Sequence, residues 1–385
     1  MCGGVCRERS KRASVRVSER SMEFHRSDSS SPSSSMPTPN ATDPKKPPTD
    51  PMHSWWESVS KARSRIHALA AILPSSSHDP LSSLADSDRP ALSLLSSPTA
   101  YAAVSASLSG SHSDPLCHWL YDTFLSTDPH LRLVVLSFVP LLAGLYLSRI
   151  HSPEPPSLAG FEAVLLALYA AETRSRNGKP LLVTIPDLSQ PSIYHAPLRK
   201  PQSLSPPSVG LISPPLEPQL GVKSTKRPAI VGVALHSFFS QISHMPAWSK
   251  LDFCQFAAAW AGAAPCPCRN QFDDAPIPDH SQIHEAKAER IPLPWEILQP
   301  ALRILGHCLL GPLNSQDVKD AASFAVRCLY ARASHDLVPQ AILATRSLIQ
   351  LDVRTAEAAK ANAGSNSNAN TPTKVKKPEI LLVSK

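Results

Sequence analysis

Glycine is scarce in this chain, which has 13 glycines against 40 prolines in 385 residues. Glycine-rich loops of the kind that bind phosphates are absent, as are the G-x-S-x-G turn of serine hydrolases and the H-E-x-x-H helix of zinc peptidases. The sequence motifs of protein kinases are missing as well. Each absence is weak evidence alone, but together they predict that the chain is not an enzyme of these classes.

Long uncharged apolar runs are lacking too. The most apolar stretch, Leu131 to Leu147, contains Arg132 and is shorter than the roughly 18 apolar residues that a membrane span needs. Pro140 is expected to kink or divide it. The N-terminus has no apolar segment typical of a secretory signal. We therefore expect a cytosolic protein with reduced, mostly buried thiols at Cys117, Cys254, Cys308 and Cys328.

Positive charge is in moderate excess and is not concentrated on one predicted element. The formal net charge is +7, and much of the excess lies between Arg7 and Arg26 and between Lys374 and Lys377. A nucleic-acid-binding protein concentrates basic side chains on a folded face among aromatic side chains. We recognise no such face and do not expect a nucleic-acid partner. The basic N-terminal segment leaves direct binding to anionic lipid as an alternative.

The apolar pattern predicts an irregular all-helical (all-α) domain from residue 54 to residue 352. Ser54 and Glu57 have the spacing of a capping box that would start the first helix. An apolar stripe begins at Trp55 and repeats at three- and four-residue steps until Pro74 ends the helix. Later helices are expected after Asp114-Pro115 and Asp128-Pro129, and over residues 229–243, 247–262, 294–310, 315–333 and 339–352.

Three segments are predicted to be disordered. Residues 1–53 are basic and then rich in serine and proline, and residues 353–385 are rich in alanine, asparagine and serine. Such compositions bury too little apolar surface to offset the entropy lost on ordering. A third segment, the proline-rich residues 197–228, lies inside the helical domain and is predicted to be a long irregular loop.

The segment from Leu181 to His195 joins a short β-prone run to serine, aspartate, tyrosine and histidine. A catalytic serine needs a base, an orienting acid and an oxyanion hole. Pro186 and Pro191 instead favour extended backbone, and nothing around them indicates that supporting geometry. We predict a stiff strap that lies against helices and assign no catalytic residues.

One cysteine and histidine pattern is a candidate metal site. Cys266 and Cys268 precede His280 and His284, and the histidine pair has the spacing of a zinc finger. The cysteine pair is tighter than zinc fingers use, and the surrounding prolines describe an irregular loop. A proline-stiffened loop is therefore preferred, with a metal-binding module as the alternative function.

Several blocks of the sequence resemble the hyccin family. "TIPDLSQPSIYH", from Thr184 to His195, is similar to the family's I-P-S-L-S-x-P-S-hydrophobic-Y-H segment. Upstream, "DPLCHWLYDTFLSTDPHLRLVVLSFVPLLAGLYL" and "FEAVLLALY" resemble the two most recognisable helical blocks. Downstream, "HMPAWSKLDFCQ", the Cys266-Pro267-Cys268 region and "RIPLPWEIL" follow in the expected order. The resemblance covers roughly residues 54–352, with serine- and proline-rich insertions more typical of the plant branch.

The resemblance implies a non-catalytic subunit without a cofactor. Hyccins are helical proteins that bind a tetratricopeptide-repeat partner, which in plants is similar to the No Pollen Germination proteins. Together the two hold phosphatidylinositol 4-kinase type III alpha at the plasma membrane through a lipid-anchored scaffold protein, so membrane contact would be indirect. A large apolar interface anchored by aromatic residues is then expected. The residues predicted for it are Trp56, Trp119, Tyr194 and His195.

Overall fold

The structure, a computed structural model, describes residues 51–74, 78–126, 128–152, 157–185, 208–262 and 294–365. These residues are mainly helical, as predicted, with one small sheet. The helices are α1 (Pro51–Ile72), α2 (His78–Ala85), α3 (Pro90–Ser96), α4 (Pro98–Ser107), α5 (Pro115–Leu125), α6 (Pro129–Ser137), α7 (Val139–Ile150), α8 (Ala159–Ser175), α9 (Arg227–Ser240), α10 (Ala247–Ala261), α11 (Trp295–Leu310), α12 (Gln316–His335) and α13 (Pro339–Ser365).

One continuous apolar core joins these helices, from Ile66 in α1 to Ala341 in α13. α1 packs against α2, α3 and α5, and α5 in turn packs against α8. α9 lies between α8 and α11, while α10 packs against α7 and α12. Each of these helices therefore packs against its neighbours around one shared apolar interior.

Aspartate side chains start two central helices in the predicted way. Asp114 Oδ1 accepts a hydrogen bond from the Leu116 N–H at 2.8 Å, and Asp128 Oδ1 accepts one from the Leu131 N–H at 2.8 Å. Burial alone would raise the pKa of Asp114, but hydrogen bonds from Gly110, Leu116 and Ser109 lower it below its ordinary value. Each cap satisfies backbone N–H groups that have no partner inside the helix.

The start of α1 was predicted wrongly. The helix begins at Pro51, three residues before the predicted cap at Ser54, because proline suits the first helical turn. Glu57 therefore lies within the helix and pairs with Lys61 at 2.7 Å. The apolar stripe itself is confirmed from Val59 onward, since its members are buried: Val59, Ala62, Ile66, Leu69 and Leu73.

The most apolar stretch of the chain is divided at the predicted place. α6 ends at Ser137 and α7 starts at Val139, which puts Pro140 in the first turn of α7. By length and composition alone, Pro129–Ile150 passes the test for a membrane span. Within the protein, 61% of its most apolar window is buried, as expected for a core helix.

The predicted loop at residues 197–228 contains regular structure in its described part. β1 (Leu181–Ile185) pairs antiparallel with β2 (Ser208–Ser213), and α9 starts at Arg227. β1 coincides with the β-prone run predicted from the sequence. β2 corrects the prediction of an irregular loop, because pairing with β1 supplies hydrogen-bond partners that an isolated segment lacks.

The five C-terminal helices agree with the predicted segments except at the C-terminal end of α13. α9, α10, α11 and α12 each start and end within three residues of the predicted bounds. α13 continues to Ser365, whereas residues from 353 onward were predicted to be a disordered tail. Alanine-rich sequence supports the longer helix because alanine has the highest helix propensity.

Close backbone contact between α9 and α11 depends on Gly232. A β-carbon at this position would lie 2.1 Å from the carbonyl oxygen of Glu296. We expect Gly232→Ala to lower the free energy of unfolding by about 1–3 kcal/mol, because the helices must separate. Gly221→Ala is the matched control, since no atom lies within 4 Å of its added carbon. Equal denaturation midpoints for the two variants would contradict this packing.

Stability should also depend on pH through Asp252. Burial raises its pKa to about 6, and its carboxylate accepts a hydrogen bond from the Tyr101 hydroxyl. Because the folded state favours the protonated acid, the stability linked to Asp252 is complete below its ordinary pKa of 3.8 and is lost as pH rises through 6. We expect Asp252→Asn to stabilise the protein by about 1–2 kcal/mol at neutral pH, allowing for solvent screening.

The measurement is urea denaturation of both proteins from acidic to neutral pH. The difference between Asp252→Asn and the natural chain should vanish at the acidic end. Asp122→Asn is the control, because the Asp122 side chain is 57% exposed. A difference that does not change with pH would show that Asp252 is not the titrating group.

Candidate partner-binding surface

The two-stranded sheet of β1 and β2 exposes apolar side chains. Leu182 pairs with Leu211, and Thr184 pairs with Val209. These four side chains share one face, since alternate residues of a strand point the same way. The three apolar members are 55% to 61% exposed. This face is an apolar surface that the described helices leave uncovered.

The opposite face of the sheet is apolar as well. Val183 and Ile185 are both exposed, and their side chains approach Gly210 of β2. A β-carbon at Gly210 would lie 3.2 Å from each of them, so glycine makes room for both side chains. The sheet therefore presents apolar groups on both sides.

The Thr184–His195 motif starts at the end of β1. Its first two residues, Thr184 and Ile185, belong to the strand. The predicted contact residues Tyr194 and His195 lie outside the described residues. The described geometry thus places the beginning of the motif on an exposed apolar strand.

A second exposed apolar surface, the α1 tip, consists of Met52, Trp55 and Trp56. All side chains from residue 52 to residue 57 are exposed, so the described part of the chain leaves these first two turns largely in solvent. The two indole rings make an edge-to-face contact with centroids 4.9 Å apart. Trp56 is 54% exposed. Trp55, with which the predicted apolar stripe begins, is 45% exposed.

Trp119 corrects the predicted contact set. Its side chain is 3% exposed, and its Nε1–H donates a hydrogen bond to the Arg65 carbonyl at 2.8 Å. This bond holds α5 against α1 and satisfies the indole's only donor. Trp119 is therefore a core residue in this structure and is not available for contact with a partner.

The thiols of the described residues are packing groups. Cys117, Cys254 and Cys308 are buried and free, while Cys328 is half-buried. Burial, with a smaller contribution from Asp114, raises the pKa of Cys117 to about 12. A hydrogen bond with Cys308 and burial raise the pKa of Cys254. The thiols of Cys117 and Cys254 therefore stay protonated and are poor nucleophiles.

The predicted metal alternative falls outside the described residues. Cys266, Cys268, His280 and His284 all belong to the segment that follows residue 262. Among the residues that the structure describes, no group of three or more histidine, cysteine, aspartate or glutamate side chains is arranged to hold a metal ion.

Comparison with protein families decides the kind of protein this is. A family model described as Hyccin matches residues 85–384, which is more than half of the 385-residue chain. The chain belongs to the hyccin family. The match includes both strands and extends from α3 through α13, whereas α1 precedes it. The residues matched by the family model thus start and end later in the chain than residues 54–352, the range over which the resemblance was expected.

Membership of the hyccin family bears on the role of the exposed apolar surfaces. The hyccin family is associated with a scaffold role in phosphatidylinositol 4-kinase complexes, where its members are non-catalytic adaptor subunits. Such a complex contains a kinase and a tetratricopeptide-repeat partner and is peripherally associated with membranes. A hyccin-family chain is therefore expected to carry apolar surface that other subunits cover.

The sequence interpretation missed the exposed sheet, although a signal for it was present. "SVGLIS", from Ser208 to Ser213, is a short apolar run with two β-branched residues, Val209 and Ile212, close to prolines on both sides. Such a run bounded by turn-forming residues is typical of a strand. The surrounding proline-rich composition hid this signal.

Substitution of Trp119 and of Trp56 distinguishes a core tryptophan from a surface tryptophan. We expect Trp119→Ala to lower the free energy of unfolding by about 3–5 kcal/mol, because it removes a buried ring and its hydrogen bond. Trp56→Ala should change it by less than about 0.5 kcal/mol, since this side chain is largely in water. Urea denaturation of both variants measures the difference. A comparable loss in Trp56→Ala would contradict the exposed position of Trp56.

Proposed function

We propose that this hyccin-family chain is a non-catalytic scaffold subunit that binds a tetratricopeptide-repeat protein similar to the No Pollen Germination proteins of plants. With that partner it would stabilise phosphatidylinositol 4-kinase type III alpha and recruit it to the plasma membrane through a lipid-anchored scaffold protein. Its contribution to phosphatidylinositol 4-phosphate synthesis would then be assembly of the kinase complex. The chain itself would be found in the cytosol and at the plasma membrane.

The observation that carries this proposal is the exposed apolar sheet in a hyccin-family chain. A two-stranded sheet is marginally stable in water, and this one exposes Leu182, Val209 and Leu211 on one face. Contiguous apolar surface of this kind marks sites of protein contact. A tetratricopeptide-repeat array provides an extended concave surface that a projecting sheet can enter.

The α1 tip supports a wider interface. Obligate interfaces bury more than about 2,000 Å² in total, which exceeds what a small sheet offers. Trp55 and Trp56 provide large aromatic surface, and tryptophan is enriched among the residues that dominate binding energy. We include Trp56 in the proposed interface, together with Tyr194 and His195 of the motif that begins on β1.

Indirect membrane attachment agrees with the packing of the most apolar segment. Pro129–Ile150 forms α6 and α7, whose side chains contribute Val135, Leu142 and Tyr146 to the core. Insertion of this segment into a bilayer would remove it from that core. Attachment through partner proteins requires no such rearrangement.

Co-expression with a No Pollen Germination-like repeat protein tests the proposal. We expect a stable heterodimer by gel filtration with light scattering. The double substitution Leu182→Thr with Leu211→Thr should weaken it roughly tenfold or more, because truncating central apolar contacts commonly costs about 2 kcal/mol. Threonine retains the strand preference, so the sheet itself is preserved.

Leu313→Thr is the matched control, because Leu313 is 98% exposed in the turn between α11 and α12. This variant should form the heterodimer as well as the natural chain does. If the double variant also binds normally, the sheet is not the contact surface. If the natural chain stays monomeric beside the repeat protein, the scaffold proposal fails for this chain.

A further inference from the structure

A cleft opens between α3, α6 and the C-terminal halves of α8 and α9. Its volume is about 740 Å³, within the range of small-molecule sites. Residues of all four helices line it, together with Phe124 near the end of α5. The described side chains leave this space open, so the cleft has room for a small molecule.

The inner wall of this cleft is apolar. Leu95, Phe124, Leu136 and Leu168 line it, and each is at most 8% exposed. Leu133 lines it as well and is half-buried. The removal of apolar surface from water is favourable, so an apolar molecule in the cleft would gain free energy by covering this wall. The wall therefore favours a ligand with an apolar body.

Polar side chains border the same cleft nearer to solvent. Ser175, Ser240 and His244 line it and are exposed. Arg132, which is also exposed, is the one arginine or lysine among the described residues that line the cleft. A molecule with an apolar body and a negatively charged head would match both kinds of lining.

The Arg132 guanidinium is held at the cleft without an anionic partner. Its Cζ lies 4.9 Å from the centroid of the Phe124 ring, a cation–π contact that orients the side chain. No carboxylate of the described residues pairs with it. Glu172 is the one described carboxylate that lines the cleft, and it pairs with Arg176 Nε at 2.5 Å. Arg132 therefore offers a positive charge and free N–H donors to a bound anion.

We propose that this cleft binds a fatty-acid anion, with its carboxylate at Arg132 and its acyl chain along the apolar wall. A carboxylate suits a single guanidinium, because two parallel N–H···O bonds join these planar groups. An acyl chain suits the wall because it has no polar group to desolvate. The cleft shares no residue with the β1–β2 sheet or the α1 tip, so the proposal is independent of the proposed scaffold function.

Calorimetric titration of the full chain with decanoate at neutral pH, below its micelle concentration, tests the site. We expect one saturable site per chain. Octanoate should bind roughly tenfold more weakly, because burial of each of the two missing methylenes is worth roughly fourfold in affinity. Decanol has the same chain without the charge and should also bind roughly tenfold more weakly, since it lacks the charge-assisted hydrogen bonds.

Arg132→Gln removes the positive charge from the cleft. We expect it to weaken decanoate binding roughly tenfold and to leave decanol binding unchanged. Arg174→Gln is the matched control, because Arg174 is an exposed arginine of α8 that does not line the cleft. This control should bind decanoate as the natural chain does.

Ser240→Trp fills the cleft and should abolish binding of both decanoate and decanol. Ser148→Trp is its control, because Ser148 lies on α7 and does not line the cleft. Each serine is exposed, and each hydroxyl donates to the carbonyl three residues earlier, of Ser237 and Leu145 respectively. The two substitutions therefore remove the same local hydrogen bond, and Ser148→Trp should bind decanoate normally.

The proposal is overturned if the natural chain shows no saturable decanoate binding, or if decanol binds as tightly as decanoate. Unchanged decanoate binding in Arg132→Gln or in Ser240→Trp would also overturn it. Light scattering tests a different occupant. If the natural chain is a dimer that binds no decanoate, and Ser240→Trp makes it a monomer, a second copy of the chain occupies the cleft and the fatty-acid site is wrong.

Discussion

Close packing of α9 between α8 and α11 is the constraint on which much of the described structure depends. Six consecutive residues of α9, from Ile230 to Leu235, are buried, so the helix is covered on every side there. Gly232 permits this because its missing side chain leaves space for the Glu296 carbonyl. The same packing brings His236 beside Arg303 and near Arg176. Core formation and the contact between His236 and Arg303 therefore depend on one helix.

The exposed apolar surfaces contrast with the buried helix α9. The β1–β2 sheet and the α1 tip leave large apolar side chains in water, although the same chain buries more than sixty apolar residues in its core. Exposed apolar groups of this kind gain free energy when another protein covers them. In this hyccin-family chain the helical interior provides the stability, and the large exposed apolar side chains of the sheet and the α1 tip lie outside it.

Much of the fold could be predicted from local sequence. The Asp-Pro starts of α5 and α6, the division before Pro140 and the bounds of α9 to α12 all follow from residue chemistry within one or two helical turns. The contact residues were harder to predict. Trp56 and Trp119 are both tryptophans beside helical apolar patterns, yet one is exposed and the other buried. Their difference depends on whether a second helix lies alongside, which a local pattern does not reveal.

The sequence by itself determined the helical class, the family likeness and the positions of many helix ends from α5 onward, because caps, prolines and apolar periodicity act over a few neighbouring residues. It did not predict α2, α3 or α4. Only the tertiary structure decided that β2 pairs with β1, that Trp119 bonds to Arg65, and that His236 contacts Arg303. These contacts join residues far apart in the chain: Trp119 and Arg65 are 54 positions apart, and His236 and Arg303 are 67. Their proximity is a consequence of how the helices pack, and packing depends on the whole core.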